Sequence, residues 1–361
     1  MPSGRVVGVS HLDLSRDVVA LTADLVDIAS ESLAEQEICD AVEAALADLP
    51  HLEVVRDGHT LVARTSLGRP ERVVIAGHLD TVPANANFPS RLDGDVLWGL
   101  GSCDMKGGVA IALRLAAHVP APSRDITFVF YEGEEIAAEF NGLGRVARER
   151  PELLAADFAI LMEPTGAIIE AGCQGTLRVD VITRGERAHS ARSWSGSNAV
   201  HAAAEALNRL TGYTAREVEI DGLVYREGMN AVGISGGVAG NVVPDEARIS
   251  VNYRFAPDLD EKQALSHVRE LFEGFEVEVT DSAPGAMPGL DQPAAAAFVQ
   301  SIGVDVAPKY GWTDVAQFSQ LGIPAVNFGP GDPTFAHKAD EHVPVAHLTS
   351  VEEAMTAWLT A

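Results

Sequence analysis

The chain has 361 residues, 47% of them hydrophobic, which is long enough for two packed cores and favours two domains over one. Asp and Glu (52) outnumber Lys and Arg (26), so the formal net charge is −26. A molecule this negative repels nucleic-acid phosphates and anionic membranes, and we therefore predict neither as a partner.

The cysteines and the N-terminal residues favour a cytoplasmic location. Cys39, Cys103 and Cys173 lie far apart, and an odd number without a Cys-x-x-Cys pair argues against a disulfide framework. Residues 1–21 lack the pattern of a secretory signal, and no apolar run reaches the roughly 18 residues of a membrane span. We therefore expect neither secretion nor membrane anchoring.

The first part of the chain predicts an α/β layer. Residues 15–49 carry apolar side chains at helical spacing and predict two helices that separate near Ser30, with Ser15 as a possible N-cap. Helical stretches then alternate with continuous apolar runs typical of strands buried on both faces: residues 72–77, 125–132, 157–163 and 322–329. This alternation predicts a mixed, mostly parallel sheet sandwiched by helices.

From about Gly175 to Pro284 the patterns follow the order strand, helix, two strands, helix, strand. This order predicts an α+β, ferredoxin-like (βαββαβ) domain at residues 176–284, inserted into a catalytic domain formed by residues 1–175 and 285–361. Strands with alternating polarity have one face that is solvated or covered by a partner, so an exposed edge here would suit dimerisation.

Side chains that could bind metal or move protons follow four of the apolar runs. They are His78 with Asp80, Glu134 with Glu135, Glu163, and His337. In open α/β sheets the ligand crevice lies at the carboxyl ends of the strands, so we expect these residues to converge. Asp104 lies in a glycine-flanked loop just before a helix, where the backbone can approach a site closely.

Three clustered carboxylates, Asp104, Glu135 and Glu163, would repel one another unless protons or cations intervened. Together with His78 and His337 they form a donor set without thiolates, which suits catalytic zinc, with cobalt or manganese as substitutes. Five ligands are too many for one tetrahedral ion with an open position. We therefore predict two ions bridged by one carboxylate.

Two further acids are predicted to assist metal binding and catalysis. Asp80 can accept the second ring N–H of His78 and orient the imidazole. Glu134 points away from its neighbour Glu135 in extended backbone, so it is predicted to act as general base on the attacking water. A lone acid at a strand end is more often a solvated loop residue, so the prediction depends on the shared position of these acids at the ends of apolar runs.

Five motifs in order, "GHLDTVP", "GLGSCDMKGG", "EGEE", "MEP" and the late His337, resemble the co-catalytic di-zinc aminoacylase and carboxypeptidase family over nearly the whole chain. Three longer stretches, residues 30–46, 241–258 and 311–344, are most similar to actinobacterial members that act on N-succinyl-LL-2,6-diaminopimelate. Gly133 departs from the family pattern, which commonly has Asp there. The resemblance implies that His78 and Glu163 hold one zinc ion, that Glu135 and His337 hold the other, and that Asp104, followed by a cis peptide bond, bridges them.

The resemblance also implies roles for the inserted domain. His189 would reach the partner subunit's site in a homodimer and stabilise the tetrahedral oxyanion. Arg178, Asn241 and Arg254 would grip substrate carboxylates, and Thr334 would line the same pocket.

The activity implied by the resemblance is metal-dependent hydrolysis of a small anionic amide, N-succinyl-LL-2,6-diaminopimelate, to succinate and LL-2,6-diaminopimelate. Another family activity, such as that of an acetylornithine deacetylase, an aminoacylase or a dipeptidase, is the alternative. A non-catalytic protein stabilised by zinc is a remote alternative, and the intact ligand set together with Glu134 argues against it.

Overall fold

A computed structural model describes residues 12–361. Contacts divide the chain into two compact units. The first comprises the residues up to Ala171 with Gly289–Ala307 and Gln317–Ala361, and the second comprises Gly172–Pro288 with Pro308–Ala316. Within the described part of the chain, no helix combines the length and the apolar character needed to cross a membrane.

The elements up to residue 171 are, in chain order, α1 (Val18–Val26), α2 (Gln36–Ala47), β1 (Glu53–Asp57), β2 (Thr60–Arg64), β3 (Arg72–His78), β4 (Arg91–Asp93), β5 (Val96–Trp98), α3 (Lys106–His118), β6 (Asp125–Tyr131), α4 (Gly142–Glu149), β7 (Phe158–Leu161) and β8 (Ile169–Ala171). Those from residue 172 to 288 are β9 (Gly175–Arg184), β10 (Ala188–His189), α5 (Ala199–Thr211), β11 (Glu217–Ile220), β12 (Leu223–Arg226), β13 (Gly228–Gly236), β14 (Val242–Val243), β15 (Glu246–Phe255), α6 (Glu261–Leu271) and β16 (Glu276–Ala283). The remainder are α7 (Pro293–Ile302), β17 (Val306–Pro308), α8 (Val315–Gln320), β18 (Ala325–Asn327), β19 (His342–Pro344) and α9 (Val345–Thr360).

Helices α1 and α2 confirm the two helices predicted within residues 15–49. The N-cap differs from the prediction: Asp17, not Ser15, caps α1, because the Asp17 side chain accepts a hydrogen bond from the Ala20 N–H at 2.9 Å. Leu21 and Leu25 lie on the buried face of α1. The apolar spacing therefore predicted the helix correctly, but it did not show which of the adjacent polar residues is the N-cap.

The central sheet of the first unit has the strand order β1-β2-β6-β3-β7-β18-β8-β17. Strand β3 runs parallel to β6 and β7, and β7 runs parallel to β18, whereas β1, β2 and β8 pair antiparallel. Every residue of β6 and β7 is buried. Continuous burial is what the apolar runs predicted, and the α/β class with a mixed sheet, parallel at its centre, is confirmed.

The second unit contains an antiparallel sheet of order β13-β15-β9-β16. With α5 between β9 and β13 and α6 between β15 and β16, its chain order is the expected βαββαβ. Apolar side chains of both helices, including Ala203 and Val268, pack with Val181 and Ile249 of the sheet. A hairpin of β11 and β12 was not predicted, although its Asp-Gly turn at 221–222, where both residues have positive φ, is a strong hairpin signal.

Candidate metal centre

Strand register brings the predicted ligands to one edge of the central sheet. Strand β3 ends at His78 and pairs in parallel with both β6 and β7. Beyond β6 the chain runs through Glu134 and Glu135, and just beyond β7 it reaches Glu163. Because parallel strands end at the same edge, these side chains leave the sheet close together.

Asp104 lies between two imidazoles. Its Oδ1 is 3.2 Å from Nε2 of His78, and its Oδ2 is 3.5 Å from Nε2 of His337. The same His337 nitrogen is 3.0 Å from Oε1 of Glu135. One donor atom from each of His78, Asp104 and Glu135 falls within a group whose members are at most 4.8 Å apart. The peptide bond after Asp104 is cis, as the resemblance implied. The two oxygens of one carboxylate therefore face two different histidines.

Glu163 is buried immediately after β7, the strand beside β3. The parallel register of β3 with β7 extends to the pair Ala76 and Leu161, which precede His78 and Glu163 by two residues each. This position is the one that a second ligand on the His78 side of the cluster would need.

Electrostatics in the cluster favour positive charge. Burial opposes protonation of His78, but hydrogen bonds with Asp104 and Asp80 outweigh it and raise the pKa of His78. Burial likewise opposes ionisation of Asp104, but the hydrogen bonds with His337 and His78 hold the pKa of Asp104 well below its usual range. Hydrogen bonds with Asp104 and Glu135 raise the pKa of His337 to about 10. The negative charge that retains protons here would equally attract divalent cations, which compete with protons for the same atoms.

Asp80 connects the histidine to the pair of acids. Its Oδ1 accepts the backbone N–H of Glu134 at 3.0 Å, and its Oδ2 accepts the N–H of Glu135 at 3.1 Å. The Ser32 hydroxyl donates to Oδ2 at 2.8 Å. Nδ1 of His78 lies 3.0 Å from the Asp80 backbone oxygen and 3.5 Å from Oδ1. The sequence predicted only the contact with His78, whereas Asp80 also holds the turn that presents Glu134 and Glu135.

Two buried charged residues beside the Asp104 loop were missed by the sequence analysis. The Lys106 ammonium donates to the Ile28 carbonyl at 2.7 Å, and burial lowers the pKa of Lys106 to about 7. Burial raises the pKa of Glu341, which accepts hydrogen bonds from the backbone of the loop, to about 7. Both lie inside or near recognised motifs, Lys106 two residues after Asp104 and Glu341 four after His337, but their burial has no local sequence signal.

The second unit holds His189 and Asn241, and both are exposed there. The Asn241 carbonyl accepts the N–H of Ser190 at 2.9 Å, which ties the segment after His189 to the turn before β14. Thr334, in the first unit, is exposed, and its N–H donates to Oδ1 of Asp332 at 2.8 Å. The roles predicted for these three residues stay predictions.

Arg178 and Arg254 occupy the adjacent strands β9 and β15 of the second unit. Burial, and then the positive charge of Arg178, lower the pKa of Arg254. Arg178 is exposed and lies 3.6 Å from the Asp281 carboxylate. Arg254 is thus a half-buried cation beside a like charge, and a bound anion would offset both the cost of burial and the repulsion.

Comparison with known proteins defines the class. Residues 74–361 match the model of peptidase family M20/M25/M40. The chain is 54% identical to a putative succinyl-diaminopimelate desuccinylase of Mycobacterium tuberculosis, over 96% of this chain and 99% of the relative. It is 47% identical to the succinyl-diaminopimelate desuccinylase of Corynebacterium glutamicum, over 97% of this chain and 98% of the relative. The chain therefore belongs to the M20/M25/M40 peptidase family.

Solved structures agree on the fold. A tripeptidase from Staphylococcus aureus matches with a TM-score of 0.77 and 22% identity over 98% of both chains. An M20 family metallo-carboxypeptidase from Sulfolobus solfataricus matches with a TM-score of 0.78 and 16% identity, covering 95% of this chain and 98% of that one. At these identities the likeness shows the fold alone. Family membership together with the cluster of His78, Asp104 and Glu135 implies that the protein uses a divalent metal ion.

Proposed function

We propose that the protein hydrolyses N-succinyl-LL-2,6-diaminopimelate to succinate and LL-2,6-diaminopimelate, a step of diaminopimelate and lysine biosynthesis. Two near-full-length relatives carry the corresponding name. The observation that carries the proposal is the placement of Asp104 between His78 and His337, because a carboxylate with each oxygen on a different imidazole suits a pair of ions.

We further propose that the cofactor is two zinc ions, with cobalt or manganese as substitutes. His78 and Glu163 would hold one ion, Glu135 and His337 the other, and Asp104 would bridge them. The donor chemistry fits, because imidazoles and carboxylates without thiolates are typical of catalytic zinc sites. When bound, such a pair lowers the pKa of water to about 7 and polarises the amide carbonyl.

The protein's own residues would complete the reaction. Glu134 would take a proton from the attacking water and deliver it to the leaving amine. Asp80 would hold Glu134 and Glu135 in place through their backbone N–H groups. We assign the catalytic role to residues 1–175 and 285–361, and we propose that His189 of residues 176–284 stabilises the oxyanion.

Substrate recognition would depend on discrete cations, because the molecule as a whole is acidic. The proposed substrate carries three carboxylates and one ammonium. Arg178 and Arg254 are suited to bidentate recognition of carboxylates, with Asn241 and Thr334 as further polar contacts. A succinyl carboxylate that pairs with one guanidinium would separate this substrate from acetylated amino acids.

A homodimer through the second unit is also part of the proposal. Strand β13 is at an edge of its sheet, and Val232 and Ile234 on it are 68% and 57% exposed. Val238, just beyond the strand, is 64% exposed. An apolar edge of this kind is a template for pairing with a second copy.

A cytoplasmic site of action is proposed from the cysteines. Cys39, Cys103 and Cys173 are all buried, and none of them forms a disulfide. Free thiols are typical of a reducing compartment.

The deciding experiment is a substrate panel. Metal-reconstituted protein should show kcat/KM for N-succinyl-LL-2,6-diaminopimelate at least about 100-fold above the values for N-acetylornithine and simple dipeptides, because a site built to pair a carboxylate discriminates strongly against analogues that lack it. Comparable rates on dipeptides would instead assign the protein to a peptidase branch of the family.

A further inference from the structure

Glu341 contacts the backbone of the loop that carries Asp104. Its side chain is 1% exposed. Oε1 accepts hydrogen bonds from the N–H groups of Cys103 and Asp104, both at 3.1 Å. The Glu341 backbone oxygen also accepts the N–H of Gly99 at 3.1 Å. One residue therefore holds both ends of the loop at 99–104.

Glu341 belongs to the same short segment as His337. It lies four residues after that histidine and directly before β19, which pairs with β5. The segment thus contributes one imidazole to the cluster and, through Glu341, fixes the backbone of the carboxylate that this imidazole contacts. Oε1 of Glu341 is the acceptor for the N–H groups of Cys103 and Asp104, and backbone donors of this kind need a hydrogen-bond partner when they are buried.

We propose that Glu341 is a positioning residue that orients Asp104 for metal binding, an inference that rests on the proposed bridging role of Asp104. A bridging carboxylate must direct its two oxygens at two different ions, and the tolerance of such sites is about 0.5 Å. The Asp104 carboxylate follows its backbone, so a rotation of the peptide that Glu341 holds would move both oxygens together. The charge of Glu341 opposes the fall that burial causes in the pKa of Lys106.

The test measures Co²⁺ binding to metal-free protein by calorimetry and by the visible absorption of the bound ion. Glu341→Ala removes the acceptor and should weaken Co²⁺ binding by about 10–100-fold, the usual effect of removing a partner that orients a metal ligand. Glu341→Gln keeps an oxygen acceptor and should bind Co²⁺ nearly as the parent protein does. Glu341→Asp keeps the charge but shortens the reach, so it should fall between the two, and it replaces Glu341→Ala if that variant does not fold.

Asp125 provides the matched control. It is also a buried carboxylate that accepts two backbone N–H groups, those of Leu67 and Arg69, but it lies at the opposite end of β6 from the metal cluster. Asp125→Ala should lower the thermal midpoint and leave Co²⁺ affinity unchanged. A loss of affinity in this control as large as that in Glu341→Ala would overturn the proposal, since general destabilisation would then explain both.

Two other outcomes would also overturn it: unchanged Co²⁺ affinity and spectrum when Glu341 is replaced by Ala or Asp, or a Glu341→Gln variant as weak as Glu341→Ala. The readout is independent of the substrate. Parent protein that binds Co²⁺ but hydrolyses none of the panel amides would contradict the proposed function, and the metal titration would still report on Glu341.

Discussion

Strands β6 and β15 have different patterns of burial. The difference explains why a polar residue indicates a functional site at the end of a strand in the first unit but only a solvated face in the second. All seven residues of β6 are buried, whereas β15 alternates between half-buried and buried positions along its whole length. A strand covered on both faces can place ionisable groups only where it ends. Strand β15 has one covered face, so every second residue can be polar without any functional cause.

The polar face of the second unit shows this directly. Arg248 lies 2.6 Å from Glu278 and 2.9 Å from Glu246, and Arg184 lies 2.8 Å from Glu276. The pairs with Glu278 and Glu276 join different strands, and the pair with Glu246 lies within β15. All involve partly exposed side chains, and such ion pairs contribute little to stability. In the first unit, by contrast, Asp80 is completely buried and Asp104 is partly buried, and both accept hydrogen bonds. An ionised carboxylate in such a place is costly unless it is paired or hydrogen-bonded.

The largest effect that this comparison predicts is at Glu134. Replacing Glu134 by Gln removes a proton acceptor while keeping the shape, so turnover should fall about 10²–10⁴-fold with metal content unchanged. Steady-state kinetics and metal analysis of the same preparation measure both quantities.

Glu139, exposed on the same segment, is the control. Glu139→Gln should retain full turnover, because a solvated acid has no proton to move in the reaction. If Glu134→Gln kept normal turnover, Glu134 would have no place in the mechanism, and the contrast between acids at strand ends and acids on solvated faces would lose its main support.

The same contrast determines how much of the fold and of the candidate site could be predicted from the sequence. Continuous apolar runs predicted β3, β6 and β7, and the polar residues beyond β3 and β6 pointed to His78 and Glu135, because both signals are local. Asp104 was predicted from its glycine-flanked loop before α3. Ser32 and Glu341 could not be found this way. Each acts on a residue far away in sequence, Asp80 or Asp104, and neither spacing nor composition encodes such a contact.

A second prediction sharpens the comparison at the apolar edge of the second unit. Ile234→Asp places a charge on exposed strand β13 and should convert the proposed dimer to monomer at micromolar concentration, because edge strands are protected from pairing by inward or lateral charge. Sedimentation velocity measures the change.

Val279 is the matched control for Ile234. It is 45% exposed on β16, the opposite edge of the same sheet. Val279→Asp should leave the assembly intact. Dissociation by both variants would point to damage to the sheet as a whole, and dissociation by neither would remove β13 from the interface.

The smallest expected effect concerns two neighbours on β15 that face opposite sides. Ile249 is completely buried, and truncating it to Ala should lower the free energy of unfolding by about 2–5 kcal/mol. Arg248→Ala removes ion pairs on the solvated face and should change stability by only a small fraction of that amount, since water and salt screen these charges. Urea denaturation of both variants measures the difference. A loss of unfolding free energy in Arg248→Ala comparable to that in Ile249→Ala would mean that the charged face stabilises the fold as much as the core does. Polar residues of the metal cluster and polar residues of the solvated face would then have to be distinguished by the burial of single atoms and not by the face of the sheet on which they lie.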